Sequence, residues 1–328
     1  MICISLSAGT NEELLELLSR SAREPVDVVE LRLDALEETP LVEILVKASP
    51  YPVVAVCRSE KEGGHFSGTA KARRETLRKA VLAGAKYVDA ESADLEHIGE
   101  REGLIRIASF HDFKKTPANL EAKAMELAAN PLADWVKIAV AAQKTADNLK
   151  IFAALGSLPK PAVAAAVNDI GLVTRILGHR FGSRMAIGCL AEGLETTPAQ
   201  PTARDLRDLY RVEAITGKTA IFGLLTGPNA HSDRHIFHNR AFAEAGLDAV
   251  SIPFRVADAG EFLDSIPEAL GMTLIEVDAT HRKAALEWAD TATKAAWTEG
   301  EASVLIRKQD GWVAEYRNRP IEVTEALP

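Results

Sequence analysis

The sequence is poor in cysteine, in aromatic residues and in long apolar runs. Its 328 residues include three cysteines, and aromatic side chains make up 5% of the total. Cys3, Cys57 and Cys189 show no Cys-x-x-Cys spacing, which argues against a disulfide framework or a cysteine zinc site and fits a reducing cytoplasm. No apolar run approaches ~20 residues, and no basic, apolar, cleavable segment opens the chain. We therefore expect a cytoplasmic protein without a membrane span.

Positive charge is also in short supply. Lysine and arginine number 38 against 47 acidic residues, which gives a net charge of −9. A field of that sign repels phosphate backbones and acidic membranes, so we expect neither nucleic acid nor a membrane as a partner. No Gly-x-Gly-x-x-Gly fingerprint follows a predicted strand, and no phosphate-binding Gly-x-x-x-x-Gly-Lys-[Ser/Thr] loop is present. A nucleotide-binding fold therefore gains no support.

What the chain does contain is a regular alternation of short apolar runs and longer segments with helical period. Eight strand-then-helix units over about 215 residues predict a parallel sheet with helices outside, and eight is the number that a closed (β/α)8 barrel needs. An open, doubly wound sheet is the structural alternative. The predicted strands are residues 2–7, 28–34, 53–58, 87–91, 105–111, 135–141, 162–168 and 185–190.

A break in this pattern near residues 216–218 predicts a second domain. A new apolar run begins at residue 220, and further runs at 249–254, 274–277 and 303–307 alternate with helical segments. We predict a barrel over residues 1–215, followed by a smaller α/β domain over residues 216–328.

Polar residues stand at the carboxyl ends of the predicted barrel strands. Glu30 and Arg32 are two positions apart, so one strand directs both side chains to the same face. Arg58 and His111 end the third and fifth strands, and Arg175 follows the seventh. The carboxyl rim of a (β/α)8 barrel holds the active site, so these residues are candidates for it.

Lys137 lies inside the sixth apolar run, Trp-Val-Lys-Ile-Ala-Val. Burial favours the neutral amine and can lower the pKa of a lysine by ~3–5 units. A neutral amine attacks a ketone and forms an imine. Lys137 is therefore a candidate Schiff-base lysine; a lysine near a strand end whose ammonium group reaches solvent is the commoner case, and both remain open on this residue alone.

His111, in Ser-Phe-His-Asp-Phe, is a candidate proton shuttle near neutral pH. Glu62, in Arg-Ser-Glu-Lys-Glu-Gly-Gly, would orient and polarise it. The alternatives are a structural histidine that caps a loop and a solvated loop carboxylate. Arg32, Arg58 and Arg175 would clamp a carboxylate or hydroxyl groups; the alternative for each is a surface salt bridge.

Seven stretches make the pattern specific: ICISL, ELRLD, CRSEKEGG, SFHDFKKTP, VKIA, TRILGHRFGS and TTPAQ. In this order and spacing, the chain resembles the type I 3-dehydroquinate dehydratases over about residues 1–215. The resemblance implies a TIM barrel that converts 3-dehydroquinate to 3-dehydroshikimate and water through a lysine Schiff base, with no metal and no cofactor. Another class I Schiff-base enzyme, such as an aldolase, fits the barrel and the lysine but not the ELRLD, EGG and HDF stretches.

The resemblance also implies roles for particular residues. Lys137 matches the Schiff-base lysine, His111 the general acid/base, and Glu62 the carboxylate that partners the histidine. The positions that match substrate-binding residues are Ser5, Glu30, Arg32, Arg58, Arg175, Thr196 and Gln200, with Arg175 on the substrate carboxylate.

The segment that closes over the substrate departs from the family pattern. The usual Ser-Ala-Pro-Gly-Gln reads Thr-Thr-Pro-Ala-Gln here, over residues 196–200. Thr196 keeps the hydroxyl but adds a methyl group. Ala199 replaces a glycine, so we expect the segment to lose backbone freedom.

Residues from about 219 resemble the substrate-binding domain of shikimate dehydrogenase, through the run IFGLLTGPNAHSDRHIFHNRAFAEAGLDAVSIPF. Arg234 replaces a serine of that family, and Arg282 and Arg319 fall where its catalytic lysine and aspartate stand. An arginine cannot act as an acid or base near neutral pH. The chain also ends at Pro328, before a nicotinamide-binding domain. We expect a folded domain without dehydrogenase activity.

Two expectations concern partners. The resemblance implies 3-dehydroquinate as the small-molecule substrate, and we expect a homodimer. A different class of function, a non-catalytic sensor that binds shikimate-pathway acids with both domains, remains the leading alternative for the second domain. The Lys137–His111–Glu62 set argues against that reading of the first.

Overall fold

The computed structural model describes residues 1–230 and 232–319, and the chain divides into two compact units. One unit combines Met1–Ala142 with Lys150–Glu213. The other combines Gln143–Leu149 with the chain from Ala214 onward. Over the described residues, no helix has both the length and the apolar character needed to cross a bilayer.

The first unit is built on eight parallel strands. They are β1 (Ile2–Leu6), β2 (Val28–Arg32), β3 (Val53–Val56), β4 (Tyr87–Glu91), β5 (Ile105–Asp112), β6 (Trp135–Val140), β7 (Ala162–Ala166) and β8 (Ala186–Gly188). Their order in the sheet is β7-β6-β5-β4-β3-β2-β1-β8. The gap between β7 and β8 is partly closed by contacts of Ala162. This residue forms a β-bridge with Ser183, and its carbonyl accepts a hydrogen bond from the Arg184 amide at 2.8 Å. The sheet is a nearly closed barrel, which confirms the (β/α)8 prediction.

Helices follow most of the strands. They are α1 (Asn11–Ser21), α2 (Val42–Ala48), α3 (Ala70–Ala83), α4 (Leu120–Ala129), α5 (Asp147–Ser157) and α6 (Leu172–Leu177), and a π-helical turn over Asp205–Leu209 follows β8. Local signals set their ends. The hydroxyl of Thr10 and the carboxylate of Glu13 form a capping box on α1. Thr69 caps α3, which ends at Gly84 in the left-handed conformation.

The barrel floor is apolar, and the polar residues stand directly above it. Buried side chains from several strands form one cluster: Cys3, Val28, Val54, Val56, Tyr87, Ile107, Val163 and Met185. Side chains two positions apart share a strand face. Ser5, Glu30, Arg58 and Asp89 therefore follow cluster members on the same inward faces, one layer nearer the carboxyl ends. The barrel interior thus has an apolar layer at the bottom and a polar layer nearer the carboxyl ends of the strands.

The second unit contains a six-stranded mixed sheet. Its strands are β9 (Ala220–Thr226), β10 (Ala249–Arg255), β11 (Met272–Val277), β12 (Thr291–Ala292), β13 (Val304–Lys308) and β14 (Gly311–Glu315), in the order β10-β9-β11-β13-β14-β12. The helices are α7 (Arg234–Glu244), α8 (Ala259–Leu270), α9 (Arg282–Trp288) and α10 (Lys294–Glu299). The predicted α/β architecture is confirmed, although β12 and β14 were not predicted.

Candidate active site

The residues at the carboxyl ends of the barrel strands converge on a cavity of about 50 Å³. Eight of the predicted site residues line it: Glu30, Arg32, Arg58, His111, Lys137, Arg175, Thr196 and Gln200. The other two contact lining residues. The Ser5 hydroxyl donates to Glu30 Oε1 at 2.7 Å, and Glu62 Oε2 lies 3.0 Å from His111 Nδ1. The structure therefore brings the whole predicted set together.

Lys137 is buried at the centre of this set, on β6. Its ammonium Nζ donates to Glu30 Oε2 at 2.5 Å and to Asp89 Oδ2 at 2.7 Å. Burial by itself lowers the pKa of Lys137, but the carboxylates of Asp89 and Glu30 outweigh burial and hold that pKa above its usual value. The prediction of a neutral amine from burial alone is therefore wrong for the resting site. The amine must pass a proton to a neighbouring group before it can act as a nucleophile.

Asp89, on β4, belongs to the site but was not predicted. Its side chain is almost fully buried, and Oδ2 also accepts a hydrogen bond from Arg58 Nη2 at 3.1 Å. Burial raises the pKa of Asp89, but Lys137 and Arg58 reverse this and lower it, so the carboxylate is ionised. A signal was present, because Asp89 lies two positions after the inward-facing Tyr87 in a predicted strand. It was missed because it falls outside the seven family stretches.

His111 and Glu62 form a second buried pair in the cavity wall. Burial, reinforced by the positive charges of Arg58 and Lys137, holds the pKa of His111 well below its usual value. Burial and the charge of Glu91 raise the pKa of Glu62 to about 7. The imidazole is therefore neutral, and Nδ1–H donates to Glu62 when that carboxylate is ionised. Nε2 is buried and has no hydrogen-bond partner within the described part of the chain, so it is available to a ligand proton.

Two glycines allow the turn after β3 to carry Glu62 to the histidine. Gly63 adopts a φ of 72°, and a Cβ there would lie 2.1 Å from a ring carbon of Phe113. A Cβ on Gly64 would lie 2.2 Å from the carbonyl oxygen of Arg58. Larger residues would therefore push the turn away from β5 and separate the Glu62 carboxylate from the imidazole.

Arg175, on α6, is a buried cation whose hydrogen bonds go to a carbonyl and a hydroxyl group. Its Nη1 donates to the Ile187 carbonyl at 2.7 Å and its Nη2 to the Thr197 hydroxyl at 2.8 Å. Nε has no partner, and no carboxylate oxygen of residues 1–230 or 232–319 forms a salt bridge with the Arg175 guanidinium. Burial lowers the pKa of Arg175 to about 10, so the side chain stays charged at neutral pH. A buried unpaired charge is costly, which marks this position as the place for an anionic group of a ligand.

The other two predicted arginines are already neutralised. Arg32 forms a two-pronged pair with Asp34, with Nε–Oδ1 at 3.0 Å and Nη2–Oδ2 at 2.7 Å. Arg58 pairs with Asp89. Both guanidinium groups line the cavity, and their positive charges contribute to the lowered pKa of His111. In the described residues, no cluster of three or more His, Cys, Asp or Glu side chains is arranged to hold a metal ion.

The segment after β8 closes over this cavity. The Thr196 amide and hydroxyl donate to Gln200 Oε1 at 2.9 and 3.1 Å, and Gln200 Nε2 donates to the Gly188 carbonyl at 3.0 Å. Ala199, between them, has a φ of 52°. A non-glycine residue in this left-handed region is strained by about 1–2 kcal/mol. The departure from glycine therefore falls where the backbone conformation favours glycine most.

In the second unit, two arginines that depart from the shikimate dehydrogenase pattern are engaged by carboxylates: Arg282, at the position of the catalytic lysine, and Arg234, at the position of a serine. Arg282 Nη1 donates to Glu301 Oε1 at 3.1 Å. Arg234 forms an ion pair with the buried Glu276, whose other carboxylate oxygen lies 3.5 Å from His238 Nε2. Neither arginine provides a titratable group near neutral pH.

Comparison with known proteins places the chain in a family. The model of the family type I 3-dehydroquinase matches residues 2–216. The bifunctional 3-dehydroquinate dehydratase/shikimate dehydrogenase, chloroplastic, of Arabidopsis thaliana is 30% identical over 100% of this chain and 56% of its own length. The chain thus spans little more than half of that relative. The 3-dehydroquinate dehydratase of Methanocaldococcus jannaschii is 28% identical, over 65% of this chain and 98% of its own length.

Solved structures agree with this assignment. The 3-dehydroquinate dehydratase of Geobacillus kaustophilus superposes with a TM-score of 0.58 at 25% identity, over 64% of this chain and 90% of its own. The structure of the dehydroquinate dehydratase and shikimate dehydrogenase from S. pombe AroM superposes with a TM-score of 0.53 at 21% identity. The match covers 96% of this chain and 64% of that chain, and at this identity it supports the fold alone. Because the family model matches residues 2–216, which is more than half of the chain, the protein belongs to the type I 3-dehydroquinase family.

Proposed function

We propose that the first unit dehydrates 3-dehydroquinate to 3-dehydroshikimate and water through an imine on Lys137. The observation that carries this proposal is the shared cavity of Lys137 and His111, in which one side chain is a potential nucleophile and the other offers an unpartnered ring nitrogen. Arg175 supports an acidic substrate, because its buried charge meets no carboxylate among the described residues. Family membership supports the same reaction.

The first chemical step is formation of the imine. The substrate carboxylate pairs with Arg175, which orients the C3 ketone towards Lys137. The ammonium of Lys137 gives a proton to Glu30 or Asp89, the two carboxylates that already accept its hydrogen bonds. The amine then attacks the ketone carbon. The former carbonyl oxygen takes one proton from the attacking nitrogen and one from the carboxyl group of Glu30 or Asp89, and it leaves as water, so that a protonated imine results.

Elimination follows from the protonated imine. His111 Nε2 removes a proton from the carbon next to the imine carbon, and the electron pair moves towards the nitrogen to form an enamine. The enamine then expels the hydroxyl group, which leaves as water with the proton from His111. Hydrolysis of the imine releases 3-dehydroshikimate and regenerates Lys137. The iminium nitrogen is the electron sink, so the scheme calls on no metal or organic cofactor.

Reductive trapping tests this function directly. Incubation with 3-dehydroquinate and borohydride is expected to inactivate the enzyme, because hydride reduces the imine to a stable secondary amine. Peptide mass mapping should place the adduct on Lys137, and borohydride without substrate is the control. An active enzyme that forms no adduct, or an adduct on a different lysine, would overturn the proposed mechanism.

For the domain predicted over residues 216–328, we propose a folded unit without shikimate dehydrogenase activity. Arg282 and Arg319 stand where the resemblance requires a lysine and an aspartate that move protons. We expect no reduction of NADP or NAD on addition of shikimate, measured by absorbance on a preparation with verified dehydratase activity. Shikimate-dependent cofactor reduction by the intact protein would contradict this expectation.

A homodimer and a cytoplasmic location also remain proposals. Leu41, Ile44 and Leu82, on and beside α2 and α3, expose about half or more of their surface and offer an apolar patch for a second copy. The three cysteines are free and buried, which fits a reducing compartment. Light scattering on the purified chain measures the oligomeric state.

A further inference from the structure

The carboxylate that partners His111 is held by a network outside the cavity. The turn that carries Glu62 is closed by two hydrogen bonds to the Ser59 carbonyl, from the amides of Glu62 at 3.0 Å and Gly64 at 2.9 Å. The Ser59 hydroxyl in turn donates to Glu91 Oε1 at 2.5 Å. Glu91 is the last residue of β4, so this contact ties the turn after β3 to the end of the neighbouring strand.

Arg73 anchors this network from helix α3. Its side chain is 6% exposed, Nη1 donates to Glu91, and Nη2 donates to Asp94. Arg74, the next residue, donates from Nε to the other oxygen of Asp94 at 2.6 Å. One buried guanidinium thus joins α3 to the carboxylate that receives the Ser59 hydroxyl. A planar, two-pronged cation holds such an arrangement better than the flexible ammonium of a lysine.

The same network sets the electrostatic surroundings of Glu62. The charged and titratable groups that face Glu62 are Arg58 from the end of β3, Asp89 and Glu91 from β4, and His111 from β5. After burial, the charge of Glu91 is the largest influence that raises the pKa of Glu62, and Arg58 opposes it. The guanidinium of Arg73 lies against Glu91 and offsets part of its charge.

We propose that Arg73 is a positioning residue for the proton-transfer pair. It acts through Glu91 and Ser59 to hold the turn that presents Glu62 to His111, and it offsets the charge that Glu91 directs at Glu62. This inference rests on the proposed dehydration through His111.

The consequence is a pH dependence. His111 takes a proton during the reaction, and an ionised Glu62 stabilises the resulting imidazolium. Because the active form has Glu62 deprotonated and its pKa is about 7, kcat should rise with pH through about 7. Loss of Arg73 leaves Glu91 uncompensated, so the midpoint of this rise should move to higher pH. Loss of the Glu91 charge should move it to lower pH.

Four variants test the proposal through their profiles of kcat against pH. We expect Arg73→Met to raise the midpoint and Glu91→Gln to lower it, each by about half a unit to one unit. The double variant should return it close to the wild-type value. Arg73→Met should also lower kcat more than it changes KM, and Arg73→Lys should restore the midpoint but only part of kcat.

Arg204→Met is the control, because Arg204 also pairs with a glutamate, Glu24, at 2.7 Å, in the segment that precedes the amino end of β2. It removes the same charge and should leave the midpoint unchanged. Shifts of equal direction in Arg73→Met and Glu91→Gln, or no shift in variants whose circular dichroism is native, would overturn the proposal.

A readout without turnover separates this inference from the proposed function. The ring nitrogens of His111 in the ligand-free protein, followed by NMR across the same pH range, report the titration of the His111–Glu62 pair. If the protein does not dehydrate 3-dehydroquinate, the proposed function fails, yet opposite shifts of this titration still support the role of Arg73. If turnover is normal and the titration does not move, the role of Arg73 fails alone.

Discussion

Lys137→Ala is expected to abolish both turnover and borohydride trapping, and also to destabilise the barrel. The first effect follows from loss of the nucleophile. The second follows from the contacts of Lys137, which lies 2.5 Å from Glu30 and 2.7 Å from Asp89. Removal of the ammonium leaves two buried carboxylates beside each other, and breaking a buried ion pair in this way costs about 3–5 kcal/mol. Urea unfolding and mass spectrometry of the trapped protein measure the two effects.

The stability loss should depend on pH in a defined direction. Lys137 lowers the pKa values of Glu30 and Asp89 in the folded protein, opposing their burial. Groups with lowered folded pKa values stabilise the fold above their unfolded pKa, near about 4, and that contribution is lost as the pH falls. The difference between wild type and Lys137→Ala should therefore be largest at neutral pH and shrink in acid.

A second-site variant separates the two effects of the lysine. Lys137→Ala with Glu30→Gln removes one buried carboxylate, so it should regain part of the lost free energy of unfolding without regaining activity. A single Lys137→Ala protein as stable as wild type at neutral pH would contradict the account of the buried charges. A trapped adduct at wild-type yield would show that another residue is the nucleophile.

His111→Ala is expected to lower kcat by ~10²–10⁴-fold, the range typical for loss of a general acid–base. Imine formation should survive, because Lys137 and its carboxylates are untouched. The imine should therefore accumulate, and the fraction of protein trapped by borohydride during steady-state turnover should rise above that of wild type.

Glu62→Gln is the matched comparison for the histidine variant. It keeps a group that can accept from Nδ1 of His111 but cannot ionise, so kcat should fall less, and the rise of kcat with pH through about 7 should disappear. A His111→Ala enzyme with nearly normal kcat, or one that shows no trapped intermediate, would rule out this assignment of the acid–base residue.

Sequence periodicity was sufficient to predict the barrel, because each strand appears in the sequence as a short apolar run of its own. The predicted run 87–91 coincides with β4, and the predicted run 105–111 matches β5 to within one residue. The strand β14 was missed, although the Asp310–Gly311 pair is a hairpin signal. The two-residue β12 depends on its pairing with β14, which no local pattern in the chain reveals.

The chemistry of the site was harder to predict because it depends on residues that are distant along the chain. Burial of Lys137 followed from its apolar neighbours, but its charge depends on Glu30 and Asp89, which are 107 and 48 residues away. Local reasoning considered the cost of burial and omitted the carboxylates that compensate it. The motifs did identify the residues of the His111–Glu62 pair, since each stretch carries a recognisable signature.

Ala199 lowers the stability of the closing segment. The alanine holds a left-handed backbone conformation in the closed segment, with a φ of 52°. That conformation costs about 1–2 kcal/mol relative to a right-handed one, and glycine would carry little of this cost. The closed segment is therefore less stable than it would be with glycine at this position. Any ligand that requires the closed segment loses the same free energy from its binding, which corresponds to a roughly 5- to 30-fold weaker affinity.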